Sequence, residues 1–417
     1  MRILHVNKFL YRRGGAEGYM LDVAELQARA GHEVAFFGMD HPDNPPQRFA
    51  AHLPAFVQLE PPPPGARKRA AAAARMLWST SSRRGVDAVV RDFRPDVAHL
   101  HNVYHQLSPS VLRPLAEHGV PVVLTLHDYK LACPSYQLLD HGRVCQACLG
   151  GRFHRAALRR CKDDSLGASL VLAVESAAHR ALRAWEPVRT FISPSRFMAA
   201  TMTRAGVYPE RLRLLDHFVD ARPLRAKAEP GGPVLYAGRL APEKGVDLLV
   251  EAIRLAGAGA RLEVAGEGPE RARLEALAAG RAPGQVRFHG RLAKDRLFEL
   301  ARSATVVAVP SRWHENQPMV VLEAFACGVP VVVTDLGGLP ELVTPARDGA
   351  VVPAGDPRAL AAALGGLLAD PERALAMGRA GRAKVEERFA PERHLSRLER
   401  IYQEDSQRKA GIDGGAR

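Results

Sequence analysis

At 417 residues, 47% of them hydrophobic and 25% charged, the chain is too long for one compact core and too apolar for global disorder, so two domains fit it comfortably. The formal net charge is +13, with 25 basic against 17 acidic residues in positions 1–190 and 33 against 28 beyond, which suits an anionic surface or a phosphorylated ligand. An aromatic content of 6% and the lack of any recognised nucleic-acid motif argue against nucleic acid as a partner, and no run reaches the length of a membrane span.

The opening MRILHVNKFL reads as a strand rather than a leader, which places the protein in the cytoplasm. Ile3–Val6 is a short apolar strand, 16–30 a helix terminated by Gly31, and Val34–Phe37 the next strand. Residues 60–75 combine a proline run with Arg67, Lys68 and Arg69, a low-complexity loop leading into a helix. With Arg12-Arg13, Arg83-Arg84 and Arg159-Arg160 they offer peripheral contact with an anionic membrane; solvated surface charge is the bland alternative. Val97–Leu100, Val122–Leu126 and Thr190–Ile192 follow, each an apolar run with a polar loop after it. Beyond a glycine- and proline-flanked hinge at 216–233 the pattern restarts with Val234–Tyr236, then 261–265, 286–289, 306–309 and 331–333. Such alternation predicts parallel sheets covered on both faces, hence an α/β chain of two Rossmann-like, doubly wound domains facing a cleft. Domain limits of 1–215, with a cysteine-rich insertion at 133–161, and 216–385 fit this pattern, leaving 386–417 as a last helix and an unstructured tail from about 406.

Within 311–343, Glu315 and Glu323 are separated by seven residues. On one helix that spacing puts two carboxylates on nearly the same face, about 12 Å apart along the axis. The predicted helix begins at Glu315, carries Val320–Ala326, and stops at Gly328 and Pro330 before the buried strand Val331–Val333. Exposed glutamate pairs are common, yet Glu315 sits among Trp313, His314 and Asn316, which is the chemistry of a site for a polyhydroxylated ligand.

This stretch resembles the signature of the retaining nucleotide-sugar glycosyltransferases of family 4, which have the GT-B fold. The likeness rests on Glu315, Glu323, Ala324, Gly328, Pro330 and Val331–Val333; an aromatic-glycine pair usual in the family is replaced by Gln317-Pro318-Met319. The resemblance implies that Glu315 contacts donor sugar hydroxyls, with Asn316 and Gln317 beside it, and that Glu323 binds the ribose. It also makes the first domain the acceptor side, the second the donor side, and sends the last helix back onto the first domain.

Ligands of open α/β sheets bind at the carboxyl ends of the strands, so the loops there are the candidates. After the first strand, Gly14 and Gly15 open a helix and present free amides to an anion; the resemblance places this loop beside the sugar diphosphate. His101-Asn102 and His127-Asp128 end two further strands. The resemblance gives His127 a hydroxyl of the transferred sugar and has Asp128 orient that sugar or the acceptor; His101, Asn102 and Asp128 are the candidate acceptor side. In 238–252, Arg239 and Lys244 can neutralise a diphosphate leaving group in place of a metal, no Asp-x-Asp motif being present. Arg291 and Leu292 occupy the position where the family's backbone reads the nucleobase. No cofactor is required; retention would proceed by front-face substitution, with His127, Glu315, Arg239 and Lys244 around the reacting groups.

Cys133, Cys145, Cys148 and Cys161 lie within 29 residues, with Cys-x2-Cys at the centre, a spacing that can close a structural zinc site. Free thiols are the alternative, disulfides being unusual in the cytoplasm. The reading is a hexosyltransferase moving sugar from a nucleotide-diphosphate donor to a glycan or lipid-linked acceptor in cell-surface polysaccharide assembly. Its rivals are a nucleotide-sugar epimerase, which needs no acceptor, and a non-enzymatic anion- or membrane-binding scaffold, which leaves the second domain's motifs idle.

Overall fold

In the computed structural model, residues 1–59 and 63–414 are described, with side chains to Gln407. Glu60, Pro61 and Pro62 of the low-complexity loop, and the last three residues of the tail, lie outside the described residues. The strands are β1 (Arg2–Val6), β2 (Glu33–Phe37), β3 (Val97–Leu100), β4 (Val122–Thr125), β5 (Leu139–Asp140), β6 (Arg143–Val144), β7 (Val188–Ser193) and β8 (Leu212–Leu214), then β9 (Val234–Ala237), β10 (Leu262–Ala265), β11 (Val286–Gly290), β12 (Val306–Val309), β13 (Val331–Thr334) and β14 (Gly349–Val352). The helices are α1 (Gly15–Arg29), α2 (Ala66–Leu77), α3 (Thr80–Phe93), α4 (Leu112–Glu117), α5 (His154–Leu158), α6 (Leu166–Ala181) and α7 (Arg196–Ala205), then α8 (Val246–Leu255), α9 (Arg271–Arg281), α10 (Lys294–Ser303), α11 (Met319–Ala326), α12 (Leu339–Leu342), α13 (Pro357–Ala369), α14 (Pro371–Arg388) and α15 (Pro391–Gly414).

The chain divides into two compact units. Unit 1 holds Met1–Leu138, Gln146–Leu215 and the segment from Leu395 on; unit 2 holds Leu139–Cys145 and Asp216–His394. The tail read as unstructured from 406 is instead helical to Gly414, continuing α15.

Unit 1 is built on a six-stranded sheet of order β2-β1-β3-β4-β7-β8, parallel throughout. Leu4, Val6, Ala98, Leu100, Val122 and Leu124 point from one face into the main core. The opposite face is unusual for a buried sheet. His5, His99, Thr125 and Thr190 are buried there, and the pairing of β1 with β3 sets His5 directly opposite His99.

Unit 2 repeats the architecture with order β11-β10-β9-β12-β13-β14, again all parallel. Its central strands β9, β12 and β13 are buried on both faces and therefore read as near-continuous apolar runs, whereas the edge strand β11 carries Arg287 and His289. Their two-residue period still separates the cores. Val234, Tyr236, Val306 and Ala308 pack against α8, α9 and α13, whereas Leu235, Val307, Val309, Val331 and Val333 pack against α11 and its neighbours. Renumbered within the unit, the order is 3-2-1-4-5-6, so direction reverses between β9 and β12 and opens a crevice at their carboxyl ends.

Candidate functional site

The loops that follow β9 and β12 meet at this reversal point in unit 2. Gly245, at φ +67°, closes the first loop; a Cβ on it would stand 2.1 Å from the Pro310 carbonyl oxygen, so only glycine lets the two loops approach. Lys244 then donates from Nζ to Glu315 Oε1 at 2.7 Å and lies 4.8 Å from the centre of the Trp313 ring. Ser311 donates to the same carboxylate oxygen at 2.6 Å. Although burial opposes it, Lys244, with help from Ser311 and Trp313, holds the Glu315 carboxyl below its ordinary range. Glu315 is thus an ionised acceptor, 5% exposed, with its counter-ion in place.

Glu315 is not on the helix. Among the described residues, 310–318 form an irregular loop and α11 begins only at Met319, so the helical spacing argument for the two carboxylates fails. Pro318 stands as the N-cap, extended at ψ 124°, and in the preceding loop the Arg312 amide donates to the Glu243 carbonyl and the Glu315 amide to the Trp313 carbonyl, bonds a helix would not permit. Gly338 donates its amide to the Glu315 carbonyl at 2.7 Å, and Gly337, at φ +66°, passes so close that a Cβ would lie 2.1 Å from that oxygen. Glu323 is on α11, half-buried, with Cys327 fully buried behind it and its thiol pushed up to about 12 by burial. Asn316 and Gln317 are buried in the loop; Gln317 accepts the His217 amide at 2.6 Å through Oε1.

Arg239 follows β9 with its side chain largely exposed, and its guanidinium is paired with Glu243. That acid and Ser311 are not among the residues the sequence singles out, whereas Trp313 is. Glu243 lies between Pro242 and Lys244 with no signal of its own, and Ser311 is the one of the two with a local signal, standing four residues before Glu315. Arg291 is exposed just beyond β11, while Leu292 packs partly into the adjacent apolar cluster.

In unit 1, α1 starts at Gly15 with Gly14 as an N-cap that offers no side chain, and both glycines are exposed. The carboxyl ends of β1 and β3 are tied by Asn7, whose Oδ1 accepts the Asn102 amide at 2.9 Å. Asp128 Oδ1 accepts the Lys130 amide at 2.9 Å, and burial raises its carboxyl above the ordinary range.

His101 and His127 belong to a longer relay. His127 Nε2 is 3.0 Å from His101 Nδ1, His101 Nε2 is 3.1 Å from His5 Nδ1, and His5 Nε2 is 2.7 Å from Gln27 Oε1. The Gln27 amide nitrogen donates to Tyr402 Oη at 3.1 Å; that oxygen is 2.6 Å from His99 Nδ1, and His99 Nε2 is 2.7 Å from Thr125 Oγ1. Burial lowers His5 to about 4 and His127 to about 3, so both rings are neutral near pH 7. A neutral imidazole has one donor and one acceptor nitrogen. With the Gln27 oxygen toward His5, every bond takes one direction: His5 donates to Gln27, His101 to His5, and His127 to His101. His127 therefore keeps its proton on Nε2 and carries an acceptor at Nδ1. The nitrogens of His5, His99 and His101 that lie within 4.8 Å of one another are all engaged in these bonds, which accounts for them without a metal ion.

Cys133 is buried in the main core of unit 1, with Sγ 3.3 Å from Ser135 Oγ, whereas Cys148 packs with Phe153 and Ala156 in a separate small cluster that Cys161 flanks. Cys145 follows the β5–β6 hairpin and is half-buried.

Residues 13–222 match the family described as Glycosyltransferase Family 4, and 222–384 match Glycosyl transferases group 1. A GDP-mannose-dependent monoacylated alpha-(1-6)-phosphatidylinositol monomannoside mannosyltransferase of Corynebacterium glutamicum is 39% identical over 176 residues, 40% of this chain and 46% of that protein. A 2-deoxystreptamine N-acetyl-D-glucosaminyltransferase of Streptomyces fradiae is 32% identical over 68% of this chain and 65% of its own length. Across these and two further curated relatives the matched stretches span 42–65% of the relative's own length. Two solved structures share the fold: sucrose-phosphate synthase from Thermosynechococcus elongatus (TM-score 0.73, 23% identity, 97% of this chain and 98% of that one) and Anabaena HepE in complex with UDP-glucose (0.65, 18%, 97% and 100%). The fold is of the GT-B type, two α/β domains with parallel sheets.

Proposed function

Because the chain belongs to glycosyltransferase family 4, we propose that it transfers a hexose, with retention, from a nucleotide-diphosphate sugar to a glycan or lipid-linked acceptor. The observation that carries this reading is the buried Lys244–Glu315 pair at the carboxyl ends of β9 and β12. An ionised carboxylate held in place before any ligand arrives suits hydroxyl donors of a sugar, and an ammonium beside it suits a diphosphate. Arg239 supplies the second cation, Glu323 takes the ribose, and Arg291 and Leu292 line the base. Gly14, Gly15, His101, Asn102 and Asp128 keep their assignments in unit 1.

In the proposed step the bond from the anomeric carbon to the diphosphate breaks as the acceptor oxygen joins on the same face. The acceptor's proton passes to a phosphate oxygen of the leaving group, and Arg239 and Lys244 stabilise the charge that develops there. His127 takes part as an acceptor at Nδ1, receiving a hydrogen bond from a sugar hydroxyl. Relatives whose names specify GDP-mannose and phosphatidylinositol mannosides or inositol 3-phosphate support a polyol or lipid-linked acceptor on the cytoplasmic side, in cell-surface glycan assembly.

A thermal-shift panel with UDP, GDP, ADP and TDP in metal-free buffer tests the donor site. One diphosphate at a hundredfold excess over its dissociation constant adds about 2.7 kcal/mol of stability, an upward shift of several degrees. No shift with any of the four would remove the basis for the donor assignment, and an inverted product linkage by NMR would exclude front-face substitution.

A further inference from the structure

Among the described residues eleven large hydrophobic side chains are exposed, and six of them gather around one helix. Leu166, Leu170, Val171 and Val174 lie along α6 with exposures of 37–54%; Leu182 just beyond it and Leu158 at the end of α5 are each 77% exposed. Helix α5 packs against α6. The inner face of α6 is mixed: Ser169, Glu175, Ser176 and His179 are buried beside Leu172 and Ala173. Glu175 accepts from Lys130 Nζ at 2.9 Å, and His179 Nε2 is 3.0 Å from the Leu77 carbonyl oxygen of α2. A surface helix normally turns charged and polar residues, not large apolar ones, to solvent. A contiguous apolar face with polar groups spent inside is the mark of an interaction surface.

Its surroundings are cationic. Helix α2 packs against α6 and exposes Arg67, Lys68 and Arg69 in its first turn, with no acid anywhere between residues 61 and 86. Arg159 and Arg160 follow Leu158, and Arg180 and Arg183 flank the far end of α6. Trp78, which ends α2, is 40% exposed, a side chain suited to a membrane–water boundary. Asp163 and Asp164 precede the first turn of α6, where carboxylates complement the helix dipole, and Asp163 is paired with Lys162 at 3.4 Å.

We propose that the outer face of α6, with the basic first turn of α2, docks this protein on an anionic lipid surface. A second copy of the chain fits less well, because a two-fold contact through this face would set its arginines against each other. The docking stands independently of the donor assignment. If the proposed lipid-linked acceptor is also correct, Glu175 and Lys130 connect the docked helix to the loop carrying Asp128.

The test is flotation of the purified full chain with vesicles of phosphatidylcholine alone or with about one-third phosphatidylglycerol. The chain should float with the anionic vesicles only, less so as salt rises. Leu170→Ser with Val174→Ser should lower binding at least roughly tenfold without changing the melting temperature, since both side chains are exposed. Serine at Arg67, Lys68 and Arg69 should weaken it on the order of a hundredfold, at about fivefold per cation. Wild-type protein that stays unbound at low salt, or undiminished binding by the leucine–valine variant, would overturn the proposal. So would a dimer in solution that the same variant dissolves, which would assign the face to a second copy. The nucleotide panel above reads the donor site separately.

Discussion

Replacing Lys244 with Met isolates the central electrostatic claim about unit 2. In the wild type the Lys244 side chain is 19% and the Glu315 side chain 7% exposed, and their contact is 2.7 Å. Methionine keeps most of the stem's packing beside Trp313 and removes only the charge. Glu315 is then a buried carboxylate left with the neutral donors Ser311 and Trp313. Breaking a buried pair from one side costs roughly 3–5 kcal/mol, and the partial exposure of Lys244 argues for the lower end, about 3 kcal/mol. At roughly 2–4 °C per kcal/mol for a unit of this size, the unit 2 transition should fall by about 6–12 °C in calorimetry at pH 7. The sign of the pH dependence is a second test. In the wild type the folded carboxyl lies below its ordinary range, so its contribution is present above that range and is lost as pH falls through the folded value. In the variant burial is opposed only by the neutral Ser311 and Trp313 and raises it, so protonation relieves the penalty and the deficit should narrow from pH 7 to pH 5. Adding Glu315→Gln should restore most of the loss. A deficit below about 1 kcal/mol, one unchanged between the two pH values, or a double variant no better than the single one would refute the buried ion pair.

Gly245→Ala should lower the same transition by about 3 kcal/mol and abolish any nucleotide-induced shift, because its Cβ meets the Pro310 carbonyl at 2.1 Å and the residue has φ +67°; an alanine variant of wild-type stability would show that the two loops can separate freely. Gln27→Met leaves the His5 Nε2 proton and the Tyr402 oxygen without their shared partner, for a loss of about 3 kcal/mol in unit 1. Nitrogen-15 spectra of the imidazoles should report His127 protonated at Nε2 in the wild type and a mixture in the variant; an Nδ1-protonated wild type would reverse the relay. Acid should distinguish the units. His5 and His127 have folded values of about 4 and 3, below their unfolded value, so the unfolded chain takes up protons first and unit 1 loses stability as pH falls from about 6.5 toward 4. The Glu315 contribution to unit 2 fades only below the ordinary carboxylate range; melting curves in which unit 2 weakens first would contradict both assignments.

The local message of this sequence was carried by period and punctuation. Short valine-rich runs followed by polar loops specify strands buried on both faces, and the alternation with helices demands parallel sheets, because that is how a crossover covers a sheet. Gly14-Gly15 announces the open start of α1, and Gly328 with Pro330 the end of α11, since backbone freedom and the missing amide are properties of the residues themselves. The residue types at the strand ends, His101, His127, Lys244 and Glu315, were legible for the same reason. What they touch was not. Strand order 3-2-1-4-5-6 is what brings Lys244 to Glu315 across 71 positions, and it leaves Glu315 on a loop that Gly337 and Gly338 hold from below. The register of β1 on β3 sets His5 against His99, and α15 brings Tyr402 to Gln27 from 375 positions away, so the tautomer of His127 depends on a residue with no local trace of that role. Hydrogen-bond direction and buried charge are properties of neighbours in space, and a one-dimensional pattern records which groups need partners without recording which partners they find.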